Sequence, residues 1–234
     1  MTLTPLLKRA TNDDLGPLVE YLTGRISEHF TGRDVYQKHY PNHQKYVDVI
    51  ESELRRYGGN TIANIFRGEG PPYDEIVHDV AKKLDVDFSD TDSIEEIEIK
   101  MLFKVLERSY EDMSDAEKKE LAKLFADSGV ENADFNGGFP AATITAQLAG
   151  TAGGFATYQI AVIVANKVSY AVLGKGLSMA ANAAITRSIG YFLGPVGWAV
   201  SGLLAVGTIT GPAYRVTIPC VLHVAYLRQK LKQE

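Results

Sequence analysis

Arg55, Arg56 and Tyr57 stand directly before the glycine pair Gly58-Gly59, and Arg67, Tyr73, Lys82 and Lys83 follow over the next stretch of chain. Guanidinium forks grip phosphate oxygens in pairs, and tyrosine rings stack on bases. If the two helices carrying them pair, these residues form a candidate pocket for a phosphate-bearing ligand, a nucleotide or an oligonucleotide. Surface ion pairs with Glu51, Glu53 and Glu69 are the competing reading. A second set of cations, Lys167, Lys175, Arg187 and Arg215, lies in a segment almost without other charge. Cations inside apolar segments face a water-filled cavity, a partner or lipid headgroups, so these four are the candidates for a pore lining or a headgroup contact.

Catalytic patterns fail when tested residue by residue. Lys175 sits in Leu173-Gly174-Lys175-Gly176-Leu177, but a phosphate-binding P-loop needs a glycine where Ser169 stands and a hydroxyl where Gly176 stands. His39 and His43 have metal-ligand spacing, yet Pro41 lies between them, and exposed loop histidines are the plainer reading. The acids of Asp85–Glu98 lack the glycine and ligand spacing of a calcium loop and read as a solvated linker and helix start. Cys220 is the only cysteine, which excludes an intrachain disulfide and fits a reducing compartment. No catalytic constellation, metal or cofactor is expected, and the chain reads as a non-enzyme.

These residues sit on two very different halves. Residues 1–134 carry 28 Asp and Glu against 17 Lys and Arg, whereas residues 135–234 carry 7 Lys and Arg and the single acid Glu234. The halves therefore have net charges of −11 and +6. Water-facing surfaces need carboxylates, so a stretch from Phe135 to Gln233 with none implies that its faces are covered by something apolar.

The first half reads as an all-α domain. Thr11 with Asp14, Ser93 with Glu96 and Ser114 with Glu117 are helix-start patterns, and apolar residues follow each at helical spacing. Helices are also predicted from about Gln44 to Tyr57 and from Tyr73 to Leu84. Residues 135–140 form a glycine-rich hinge. Beyond it, 32 residues from Phe135 to Asn166 and 27 from Ser188 to Tyr214 carry no formal charge. Both exceed the roughly 20 residues that cross a bilayer core. Two spans, 141–165 and 189–211, are predicted, with Tyr158, Tyr170, Tyr191, Trp198 and Tyr214 as interfacial rings and the basic tail Arg228-Gln229-Lys230-Leu231-Lys232 on the cytoplasmic side. Gly153, Gly190, Gly194, Gly197 and Ser201 supply small-residue faces for helix packing. The alternative is a buried helical hairpin of a water-soluble protein.

Two stretches resemble a known family. Tyr57-Gly58-Gly59-Asn60-Thr61-Ile62-Ala63-Asn64-Ile65-Phe66-Arg67-Gly68-Glu69-Gly70, continuing through Tyr73 to Val77–Leu84, resembles the bacterial YaaW-like family. Gly211–Pro219, Leu173–Leu177 and Gly194-Pro195-Val196-Gly197 also fit it. That family is labelled as similar to ubiquinol–cytochrome c chaperones, which implies a membrane-complex assembly role and assigns no catalytic residue. The expectation from the residues themselves is a bacterial membrane effector. Its N-terminal domain, residues 1–134, would sense a ligand or a regulatory protein in the cytoplasm. Its region 141–234 would oligomerise in the inner membrane into a pore, in the manner of a toxin or an antiviral defence protein. The alternative function is an assembly chaperone for an apolar client.

Overall fold

Three capping boxes organise the first half. In the computed structural model, the hydroxyls of Thr11, Ser93 and Ser114 accept the backbone N–H of Asp14, Glu96 and Glu117, and each acid side chain accepts the cap residue's own N–H in return. These reciprocal bonds satisfy donors that a helix start would otherwise leave open. The structure describes residues 2–24, 28–58, 70–131, 133–144, 154–178, 189–192 and 214–234.

The described elements are helices, with no strand among the described residues. They are α1 (Thr4–Leu7), α2 (Asn12–Thr23), α3 (Glu28–Thr31), α4 (Asp34–His39), a 3-10 turn (His43–Tyr46), α5 (Val47–Gly58), α6 (Tyr73–Lys83), α7 (Ile94–Tyr110) and α8 (Asp115–Asp127). After the composition changes come α9 (Phe155–Leu173), a second 3-10 turn (Gly190–Phe192) and α10 (Tyr214–Lys230). The protein is all-α, as its periodicity predicts.

The change of composition near Asp134 does not divide the core. Leu15, Leu18 and Leu22 of α2, Ile50 and Leu54 of α5, Ile76 and Val80 of α6 and Met101 and Val105 of α7 belong to one buried cluster with α9 and α10. α10 packs against α2, α5, α6, α7 and α9, and α9 packs against α10, α7 and α2. The acidic helices are amphipathic and turn their apolar stripes inward onto these two. α9 has no polar stripe: every residue from Ala156 to Ser169 is buried. A helix apolar all round needs cover on all sides, whether protein or lipid. α9 is also the one described helix long and apolar enough to cross a membrane, with 78% of its most apolar window buried inside the protein.

The predicted span 141–165 is interrupted. Gly154 has extended backbone (ψ 165°) and forms the start of α9, so the helix begins after it and runs on through Lys167 to Leu173. The reason is local, because a glycine favours a cap over a helix interior. The predicted span 189–211 lies mostly outside the described residues.

The Leu173–Leu177 motif is the stop signal of α9. Gly174 takes the left-handed conformation (φ 73°) that ends a helix. The Ser169 hydroxyl donates to the Lys175 carbonyl (2.7 Å), and the Leu177 N–H donates to Asn166 Oδ1 (2.9 Å). A side chain at Gly176 would press on Asn166 and Tyr170. The turn is thereby folded back on its own helix, and Lys175 points outward to pair with Glu20 of α2 (2.8 Å).

Candidate functional site

Most of the expected ligand residues serve the fold. Arg55 donates from Nε to the Pro71 carbonyl (3.0 Å) and from a terminal nitrogen to the Gly70 carbonyl (2.9 Å). It clips the chain entering α6 to the end of α5, where a side chain on Gly70 would overlap the Arg55 backbone. Arg56 pairs with Glu53 one turn earlier (3.3 Å), and the Tyr57 hydroxyl reaches the Leu22 carbonyl (3.4 Å). Lys82 is exposed, and Lys83 lies over the Tyr214 ring at 5.7 Å. Tyr73 cannot line a surface pocket, because it is fully buried. Arg67 lies outside the described residues. An open cleft of about 600 Å³ exists elsewhere, lined by Tyr110, Asp115, Lys118, Lys119, Asp134 and Phe135, and none of the expected ligand residues lines it. Its two lysines and two aspartates leave no net charge to select an anion.

The pore candidates also separate. Lys167 is buried within α9, Lys175 pairs with Glu20, Arg215 is exposed at the start of α10, and Arg187 lies outside the described residues. Of the small-residue set only Gly190 is described, and a Cβ there would meet no described atom within 4 Å. Gly153, Gly194, Gly197 and Ser201 lie outside the described residues. Tyr158, one of the expected interfacial rings, is buried in the protein core. His43, expected on an exposed loop, is buried with Nδ1 2.6 Å from the Tyr46 hydroxyl, and the described residues hold no metal-binding group.

The concentrated chemistry lies where the basic tail meets the acidic helices. In the tail, Arg228 and buried Lys230 at the end of α10 bind acids more than a hundred residues away. Arg228 donates from Nε (2.6 Å) and a terminal nitrogen (3.1 Å) to the two carboxylate oxygens of Glu98, which is fully buried. The Tyr73 hydroxyl completes that group by donating to Glu98 at 2.8 Å. Lys230 sits 2.8 and 2.9 Å from the carboxylate oxygens of Asp14, both partners being over nine-tenths buried. Gln229 donates to Glu95 at 3.1 Å, Lys232 pairs with the same carboxylate, and Arg9 donates to the Leu231 carbonyl at 2.8 Å.

Asp14 therefore serves two structures at once. Its carboxylate accepts the Thr11 N–H and hydroxyl in the cap of α2, and it also accepts Lys230. Burial pushes its pKa up, but hydrogen bonds from Lys230 and Thr11 outweigh that and hold it below the usual range. Glu98 goes the other way: complete burial raises it despite the opposing pull of Arg228 and Tyr73.

His223 lies beside the Asp14–Lys230 pair. Its Nε2 is 2.8 Å from the Asp14 carbonyl, which can only accept, so Nε2 carries the proton. Nδ1 is buried with no hydrogen-bond partner. The Tyr21 ring of α2 lies edge-on at 6.1 Å and the Tyr226 ring at 5.3 Å. A proton on Nδ1 would place a charge in this pocket with nothing to accept it, and burial lowers the pKa of His223 to about 4.

The tail residues, Asp14, Glu98 and His223 were not singled out as a site from the sequence. One signal was present. Glu98, Met101, Leu102 and Val105 share a face of α7, which puts a carboxylate inside an apolar stripe.

Comparison with known proteins places the chain among bacterial relatives. It is 41% identical over 233 residues to a UPF0174 protein of Helicobacter pylori strain J99, covering 97% of this chain and 90% of that one. A second UPF0174 protein of that strain is 38% identical over 212 residues, covering 89% of this chain and all of the relative. The UPF0174 protein YaaW of Escherichia coli K12 is 32% identical over 191 residues, covering 82% of this chain and 74% of its own. The chain belongs to the UPF0174 family. The resemblance to YaaW-like proteins read from the motifs is thereby established. No family model matches the chain, and no solved structure does. For this UPF0174 protein the similarity covers both halves, which suits a fold in which the last helix sits inside the first half.

Glu98→Gln strands the Arg228 charge in the core and lowers unfolding free energy in urea by about 3–5 kcal/mol, whereas Glu98→Leu with Arg228→Met recovers most of the loss. Equal losses for the single and double variants would show that the pair matters for packing and not for charge. Unfolded histidine titrates near 6.5, and His223 titrates at about 4 in the fold, so between these values the unfolded chain binds more protons. Stability contributed by neutral His223 is complete above about pH 6.5 and is lost as pH falls toward 4, on the order of 3 kcal/mol. Buried His43, also lowered, adds in the same direction. His223→Gln removes the larger part of that slope in chemical denaturation, and an unchanged slope contradicts the assignment.

Proposed function

We propose that this UPF0174 protein is a non-enzymatic, amphitropic membrane effector that stores apolar helices inside an acidic helical shell and releases them into a bilayer. The observation that carries the proposal is α9. It is 19 residues long, has a mean hydropathy of 1.2 over its best window, and contains no acid. At about 1.5 Å per residue its length is close to the roughly 30 Å of a hydrocarbon core. A helix buried on all faces by protein exchanges one apolar surrounding for another when it enters lipid, so transfer costs little in side-chain burial. The cost lies in carrying Lys167 of α9 into the bilayer or to its surface, in breaking the Glu98–Arg228 and Asp14–Lys230 clasps and in exposing the inner faces of α2, α5, α6 and α7.

In the inserted state the small residues of the second half, including Gly153, Gly194, Gly197 and Ser201, bring helices of several copies together into a pore. A ligand or regulatory protein at the N-terminal half sets the equilibrium by holding or opening the clasps, since it needs only a different affinity for the two states. The destination is the bacterial inner membrane, with the acidic helices on the cytoplasmic side. The competing reading is a stable water-soluble protein with α9 as its core, which the same burial favours; an assembly chaperone would instead offer the inner faces of the acidic helices to an apolar client.

Dye release from anionic vesicles separates these. Asp14→Asn removes the charge that holds Lys230 and is expected to release dye several-fold faster than wild type at neutral pH. A chaperone or a fixed soluble core gives no release from either protein at any protein-to-lipid ratio, and that result overturns the proposal.

A further inference from the structure

The turn between α4 and α5 is built to hold one aromatic ring out into solvent. Phe30, Tyr36, Tyr40, His43 and Tyr46 form a chain of ring contacts, with centroids 5.2 Å apart for Phe30–Tyr36 and Tyr36–Tyr40, 5.7 Å for Tyr36–Tyr46 and 5.9 Å for Tyr40–His43. The inner members Phe30 and Tyr46 are fully buried. The outermost, Tyr40, is 57% exposed, more than any other large apolar side chain among the described residues. The base beneath it is fixed to the start of α2. Asn12 donates to the Pro41 carbonyl (3.0 Å) and accepts the His43 N–H (2.6 Å), and Gln44 donates to the Ala10 carbonyl (2.8 Å). A ring displayed on an anchored base is an exposed apolar contact already paid for in ordering entropy, which suits recognition.

The charges on this segment are equally unusual for its half of the chain. Arg33, Lys38 and Lys45 surround the ring in sequence, and Asp34 is the only acid between His29 and Val47. None of the three cations has an ion pair or a side-chain hydrogen bond among the described residues, so their charges are open to a partner. In a half with net charge −11, residues 33–45 are net +2, with an exposed tyrosine among them.

We infer that this tip, Tyr40 with Arg33, Lys38 and Lys45, is a docking surface for an anionic lipid bilayer. Tyrosine sits at the headgroup level of a membrane with its ring toward the acyl chains, and long cationic side chains reach from beside it to lipid phosphates. A single-stranded nucleic acid is the other polyanion that such residues meet. It is read by rows of open ring faces, and here the rings pack tilted or edge-on against one another and leave a single one well exposed. Peripheral docking rests on the membrane reading above but is a separate step from insertion, because the tip lies on the acidic half and needs no opening of the clasps.

The test is flotation of the full-length protein at pH 7 and low salt with phosphatidylcholine vesicles, with and without phosphatidylglycerol, reading bound protein apart from dye release. Wild type is expected to float only with the anionic vesicles and to be released by salt. Lys38→Gln with Lys45→Gln weakens partition by about fivefold for each cation removed, roughly 25-fold in total. Tyr40→Ala weakens partition while leaving the salt dependence intact. Both variants change exposed side chains, and unchanged circular dichroism confirms that they fold; Arg33→Gln repeats the charge test at an independent position. Docking that persists in a protein that never releases dye upholds the tip and removes the pore. Wild type failing to float, floating equally well with neutral vesicles, or floating unchanged by these substitutions overturns the proposal. So does displacement from anionic vesicles by a single-stranded oligonucleotide acting at Tyr40.

Discussion

Everything in this structure depends on α10 being buried with its charges paired. Its last turn holds Lys230 buried and Arg228 largely enclosed, and each lies against a buried acid, where an unpaired charge would be costly. Glu98 and Asp14 meet them there, and both acids are themselves held in place: Glu98 by the Tyr73 hydroxyl and Asp14 by the cap of α2. Buried ion pairs seldom add much net stability over a well-packed apolar alternative, because desolvation consumes the Coulomb gain. They do impose a strong penalty on any arrangement that separates the partners. α10 therefore has one register in which its cations are satisfied, and a helix with apolar residues on all sides needs such a device to avoid sliding or rotating.

The same pairing gives a physical reading of the charge asymmetry between the halves. Lys175, Arg228, Lys230 and Lys232 pair with Glu20, Glu98, Asp14 and Glu95, so four of the seven cations of the acid-poor half meet acids of the other half. A segment enclosed in this way needs few carboxylates of its own, since other helices supply the water-facing surface. Such a segment also satisfies the condition for entering lipid, where acids are expelled. The acid-free composition is thus what a stored membrane segment would show, and the clasps are what would govern its storage. Neutral His223, lodged against the Asp14 carbonyl, makes the arrangement sensitive to acid, because the proton that would charge it has no acceptor in the fold.

Local features were legible in the sequence, and long-range ones were not. The capping boxes at Thr11, Ser93 and Ser114 use residues three apart, so their pattern survives in one dimension. The helices that follow them were equally readable from apolar spacing. Clustered cations look alike in sequence whether they bind phosphate or clip a turn, and only the carbonyls of Gly70 and Pro71 reveal the structural role of Arg55. Tyrosine tolerates a surface, and the burial of Tyr73 depends on Glu98, which lies on another helix. The partners of the basic tail are equally remote. Arg228 and Lys230 find their partners 130 and 216 residues away, and no local rule couples such positions.

Under the proposed function, the apolar half leaves the acidic shell for lipid when the clasps open. The chain's only tryptophan, Trp198, lies in that half and reports on it directly. Its fluorescence can be followed in vesicles whose acyl chains carry bromine, comparing wild type with Asp14→Asn. The account predicts little quenching for wild type at neutral pH and strong quenching for the variant, increasing with the depth of the bromine. Trp198 emission unquenched in both proteins, with the variant bound to the vesicles and folded, would contradict it.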